Sequence, residues 1–200
     1  FTGAGHHPKS TEALTLDGNT YGFPLASKTL VLMYDPETIP VPPKDTDALI
    51  RMAKEQTGNG RYGLVYEATA GFSHAPWMHA FGGKVEAMTS AKLDDEAQIK
   101  ALAFTRKLGW EEGIVPRSPT YELMKTLYNE GKASFVISGP WFVGDITRPI
   151  AAVPMPIVNE ANAPAQPYLT IEAAFLAQQA KNAVDAKGFA EWLSGPKGAA

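Results

Sequence analysis

Short runs made almost wholly of apolar residues alternate along this chain with stretches of helical period, and that alternation restricts the fold more than any other feature. Thr29–Tyr34 carries Leu30-Val31-Leu32-Met33, and Ala133–Ile137 carries Phe135-Val136-Ile137. A strand that lacks polar alternation is covered on both faces, which calls for helices on both sides of a sheet. The helical stretches are present. Leu49, Met52, Ala53 and Gln56 share one face behind the capping candidates Asp45-Thr46-Asp47. Further helices are predicted over 71–81, closed by Gly82-Gly83, over 94–110, from Ser118 to Gly131, from Pro140 to Ile146 and over 183–193. Pro76 is expected within the first turn or so of its helix. Other strands are expected at 20–23, stopped by Pro24, at 62–66 and at 168–177. Residues 1–19 read as a loop or arm, 151–158 as extended chain and 159–167 as a loop. The fold class is α/β, a mostly parallel sheet flanked by helices.

Composition narrows the function. The 200 residues are 44% hydrophobic and 20% charged with net charge −3, a globular mix without the basic stripe of a nucleic-acid binder. Cysteine is absent, which excludes disulfides, zinc-thiolate sites and thiol nucleophiles. No apolar run reaches the length of a membrane span, and no signal peptide is visible behind Phe1. The G-x-S-x-G elbow is missing, as is a G-x-G-x-x-G after any expected strand. His6, His7, His74 and His79 are not spaced to share a metal, so neither metal nor cofactor is expected. Glu67, Asp145 and Glu172 fall near strand ends, where α/β proteins hold ligands. Glu67 and Glu172 are a conceivable acid and base of a carbohydrate-active enzyme; polar loop ends are the plainer reading. Aromatics say more. Phe72 at a helix start, Trp77 one turn on, and Trp141 in Gly139-Pro140-Trp141 are not placed as core residues. Trp141 is either a core plug or a rigid plane for the C–H face of a sugar.

Four segments, in order, resemble the extracellular solute-binding proteins of ABC importers, in the maltose-binding-protein-like group (family 1). They are Tyr21-Gly22-Phe23-Pro24 through Tyr34-Asp35 to Pro42-Pro43; Tyr62 to Gly83, ending Trp77-Met78-His79-Ala80-Phe81-Gly82-Gly83; Asn129-Glu130-Gly131-Lys132-Ala133 running into Ile137-Ser138-Gly139-Pro140-Trp141; and Val153-Pro154-Met155-Pro156 followed by Tyr168–Ala177 and Ala190-Glu191-Trp192-Leu193. The Gly-Pro-Trp turn is the most specific. The resemblance implies a type II periplasmic-binding-protein-like fold with two α/β lobes, and a solute held in the cleft by stacking and hinge closure. Residues 1–28 would be an arm and first crossing strand, part of the N-terminal lobe. Residues 29–148 would be the C-terminal lobe, 149–157 the return crossing and 158–200 a piece of the N-terminal lobe. It also implies an incomplete chain, with family segments before Phe1 and after Ala200.

By position, Trp141 matches the family's sugar-stacking tryptophan and Phe72 lies near an aromatic of the same cleft. Lys28 stands where maltose binders carry a hinge-strand glutamate, and this departure leaves the particular sugar open. Glu67, Gly71 and His74 are implied contacts by proximity, Tyr66 and Glu172 more remotely. The implied protein is a monomeric binder and not an enzyme. It would lie in the periplasm or on the outer cell face, free or lipid-anchored, and work with the membrane subunits of an importer. A ligand-sensing domain of a signalling protein, or a carbohydrate-active enzyme, are the alternatives.

Overall fold

The computed structural model describes residues 5–85 and 94–198. Its elements in chain order are α1 (Pro8–Ala13), β1 (Thr15–Leu16), β2 (Asn19–Thr20), β3 (Gly22–Lys28), β4 (Val31–Tyr34), α2 (Thr46–Glu55), β5 (Tyr62–Val65), α3 (Gly71–Ala80) and α4 (Glu96–Arg106). Then follow α5 (Tyr121–Asn129), β6 (Ala133–Ser138), β7 (Ala151–Val153), β8 (Ile157–Val158), β9 (Ala163–Pro164), β10 (Thr170–Phe175) and α6 (Ala183–Ser194). The chain divides into two compact units. One is continuous, Thr29–Tyr168; the other combines the residues up to Lys28 with those from Leu169 onward.

The larger unit is built on a four-stranded sheet of order β5-β6-β4-β7. Successive strand residues point to opposite faces, and this separates two cores. Leu32, Leu64, Phe135 and Ile137 join Leu49, Ala53, Trp77 and Phe104 from α2, α3 and α4. Met33, Val65 and Val136 join Met124, Leu127, Tyr128 and Phe142 on the other face. α2 starts at Asp45, whose carboxylate accepts from the Ala48 N–H at 2.9 Å, a cap worth about 1 kcal/mol. α2 lies so close to β5 that a Cβ on Gly63 would sit 2.0 Å from the Ala53 carbonyl oxygen.

The sheet is mixed, not mostly parallel. Only β5 and β6 run parallel; β4 is antiparallel to both β6 and β7. The apolar run in β4 reports helices on both faces, and that burial does not depend on strand direction. The return crossing expected at 149–157 lies inside this unit, because Ala151–Val153 pairs with Leu32–Tyr34. The helix expected at 94–110 ends at Arg106 and continues as a π-helical turn, Lys107–Glu111. Pro76 sits in the interior of α3, not in its first turn.

In the smaller unit β3 pairs antiparallel with β10, and α1 and α6 pack on β3. Pro24 does not stop β3. A two-stranded ladder has open edges, and the register shifts between Glu172 and Ala173, opposite this proline; both features accommodate a missing N–H. The arm is not all loop either. Pro8 takes the first helical position of α1 and the His7 side chain accepts from the Lys9 N–H. No helix among the described residues is long and apolar enough to cross a membrane.

Candidate functional site

β6 ends at Ser138, and Gly139 leads into a 3₁₀ turn, Pro140–Asp145. The indole of Trp141 folds back over Gly139: a Cβ there would fall 2.1 Å from an indole carbon. Glycine is therefore required by contact, and its φ of −111° is an ordinary one. The next residue, Phe142, is fully buried and meets Tyr121 and Tyr128 edge-on. One side chain of the turn anchors it while its neighbour stays 39% exposed.

Phe72, in the first turn of α3, brings its ring to 6.3 Å from Trp141 at 49°. Tyr168 lies 6.3 Å from Phe72, nearly parallel at 26°, and His79 stands edge-on to Tyr168 at 4.9 Å. Tyr168 is 36% exposed. The result is a run of rings on the larger unit with Phe72 as the shared neighbour.

Polar groups flank the turn. The Tyr121 hydroxyl donates to Asp145 at 2.8 Å. Burial, then the hydrogen bond and charge of Asp145, with further acidic charge from Glu122 and Glu67, push this phenol up to about 12, so it remains a donor at neutral pH. The Asn129 amide donates to the Asp145 carbonyl and accepts from the Thr147 N–H at 2.9 Å, fixing the chain after Trp141. Arg148 then pairs with the buried Asp35 at 2.6 Å.

The expected site residues separate into three groups. Trp141 and Phe72 meet. Gly71 directly precedes Phe72 at the start of α3, and Glu67 follows β5, with its charge acting on the Tyr121 phenol. His74 is half-buried; its Nδ1 pairs with the Thr105 hydroxyl at 3.1 Å, and burial holds its pKa below the usual imidazole value, which keeps it neutral. Tyr66 is fully buried against Trp77 at 6.3 Å, and burial pushes its phenol well above the usual range. It is a core residue, as is Trp77, which packs on Phe104 at 5.3 Å. α3 is covered on most sides, so a position one turn from its start is already core. Lys28 and Glu172 belong to the smaller unit, where β3 and β10 set them into an ion pair with each other. Glu172 is thereby engaged as a cation's partner. No cluster of three metal-ligating side chains occurs among the described residues.

Sequence reasoning missed His79 and Tyr168. A signal existed for His79, which stands seven residues from Phe72 and so on the same helix face. None existed for Tyr168, which reaches Phe72 from a loop distant in sequence.

A sequence profile described as bacterial extracellular solute-binding protein matches residues 2–200. A maltodextrin-binding protein, MdxE, of Bacillus subtilis strain 168 is 25% identical over 152 residues, 66% of this chain and 35% of its own length. A galactooligosaccharide-binding protein of the same organism is 24% identical over 148 residues, 67% of this chain and 35% of its own. Among solved structures, the Thermus thermophilus maltotriose-binding protein bound with maltotriose superposes with a TM-score of 0.85 at 22% identity. The match covers 96% of this chain and 54% of that one. The maltose/maltodextrin-binding domain of Bdellovibrio bacteriovorus bound to maltotriose gives 0.77 at 24% identity, over 90% and 51%. The chain thus spans about a third of the length of the curated relatives it matches and about half of the solved chains. These likenesses establish the type II periplasmic-binding fold, and with the profile covering nearly every residue the chain belongs to the family of bacterial extracellular solute-binding proteins, which bind and do not catalyse.

Proposed function

We propose that this chain captures an oligosaccharide and serves as the substrate-binding component of a bacterial ABC importer, in the periplasm or on the outer cell face. The half-exposed indole of Trp141, folded over Gly139 beside Phe72, carries this reading. A pyranose presents a face of C–H groups, and a fixed aromatic plane meets that face with little side-chain freedom left to lose. The Gly71 backbone, next to Phe72, and the Glu67 carboxylate are the polar groups this reading assigns to sugar hydroxyls. Two curated relatives are named as binders of maltodextrin and galactooligosaccharide, which favours a sugar over other solutes. Hinge closure on capture, action as a monomer and delivery to the importer's membrane subunits belong to the same proposal. Capture by closure needs a ligand that binds the closed form more tightly than the open one.

Trp141→Ala is expected to weaken sugar binding by about 1–3 kcal/mol, as for a buried aromatic anchor. Titration calorimetry with maltotriose checks this. Unchanged affinity in a variant with a native melting curve rejects the reading.

A further inference from the structure

We infer that Tyr168 is a third aromatic position of the sugar site, beyond Trp141 and Phe72, and that His79 is the positioning residue that holds it there. The inference rests on the sugar-binding reading above and makes it more specific, toward solutes at least three sugar units long.

Tyr168 sits at the end of a proline-rich strap that contains Pro164 and Pro167. Two hydrogen bonds fasten this strap to α3. The Gln166 N–H donates to the Pro76 carbonyl at 3.2 Å. His79 Nδ1 lies 2.6 Å from the Gln166 carbonyl oxygen. A carbonyl only accepts, so Nδ1 carries the proton and donates. The imidazole also stands edge-on against the Tyr168 ring, 4.9 Å away at 87°. His79 thus grips the strap twice, once at the Gln166 backbone and once at the phenol ring.

The geometry of the held ring suits a ligand. Tyr168 is more than a third exposed and nearly parallel to Phe72, which in turn is 6.3 Å from Trp141. A residue needed only to plug a core would be covered, as Trp77 is. Each step between rings is about the size of one hexose in a chain. On this proposal a sugar anchored on Trp141 passes Phe72 with its second unit and meets Tyr168 with its third. Tyrosine also brings a hydroxyl that can pair with a sugar hydroxyl at the edge of the stack, which phenylalanine lacks.

The test is calorimetry with maltose and maltotriose on the wild-type protein and on Trp141→Ala, Tyr168→Ala, Tyr168→Phe, His79→Ala and His79→Gln, with melting curves for each. Tyr168→Ala is expected to weaken maltotriose about tenfold, the loss of one good aromatic contact, and to leave maltose within about twofold. Tyr168→Phe should keep most of the maltotriose affinity. His79→Ala should erode the preference for the longer sugar in the same direction, and His79→Gln, whose amide can still donate to Gln166, should restore part of it. A role confined to stability would lower the melting temperature and weaken both sugars alike. Equal loss for both sugars in Tyr168→Ala, or no loss for either, while Trp141→Ala weakens both, overturns the third position and leaves the sugar site standing. Trp141→Ala without effect on either sugar overturns the sugar site itself.

Discussion

Asp35 shows how a single buried charge is kept ionised by its partners. It follows β4 almost wholly buried, which by itself opposes ionisation, yet the hydrogen bond from Arg148, the Glu37 N–H and the Arg148 charge outweigh burial and hold its carboxyl below the usual range. The folded state therefore binds this proton less readily than the unfolded chain does. Its contribution to stability is full above the unfolded value of about 3.9 and disappears as pH falls through the lower folded value. Asp35→Asn is expected to be clearly less stable than wild type at pH 7, with a narrower gap at pH 3; urea midpoints at the two pH values check it. Because Arg148 follows the turn that carries Trp141, this pair also ties the site to the sheet. At this scale the sequence was informative where contact is local. Gly139-Pro140-Trp141 was legible because its three residues solve one steric problem together. Tyr66 and Trp77 were not, since whether a ring near a strand end or a helix start faces water depends on α4, and Phe104 covers Trp77 from there.

Among the elements, α2 and α3 mark what pattern can reveal. α2 has a capped start and one apolar stripe, Leu49 and Ala53, so its period predicts it. α3 buries Ala75, Pro76, Trp77, Met78 and Ala80, so it has no stripe, and its closing glycines identified it instead. α1 escaped because glycines and histidines surround a helix of six residues. Strand direction escaped because two-sided burial makes parallel and antiparallel strands look alike in composition. The contact between α2 and β5 gives an element-scale test. Gly63→Ala places a methyl against the Ala53 backbone, which cannot swing aside as a side chain does. It should cost about 1–3 kcal/mol, the usual range for overpacking. Denaturant unfolding should show this as a lower midpoint with an unchanged slope.

For the molecule as a whole, both cores of the larger unit draw, among the described residues, only on those between Leu30 and Ala165. That unit is continuous, whereas the smaller one needs both ends of the chain. A fragment of residues 29–168 is therefore expected to fold alone, with a single cooperative melt and a near-ultraviolet circular dichroism signal from its buried Trp77. A broad, non-cooperative melt would show that the division is not energetic. The sequence offers prolines near Pro24 and at Pro154 and Pro156 as candidate crossings. It could not show that Ala151–Val153 would pair back onto β4, since three short residues carry no mark of their partner.

The pairing of β3 with β10 has a consequence for how the protein is made. During synthesis β3 leaves the ribosome before the whole of the continuous unit, and its partner β10 only after it. The continuous unit can finish meanwhile, since chains acquire structure domain by domain as they emerge. Until β10 follows, the edge of β3 that it will cover is bare, the condition in which strands join the wrong neighbour. Pro24 in the middle of β3 removes one donor from that bare edge. A residue that the finished ladder accommodates thus guards the nascent one.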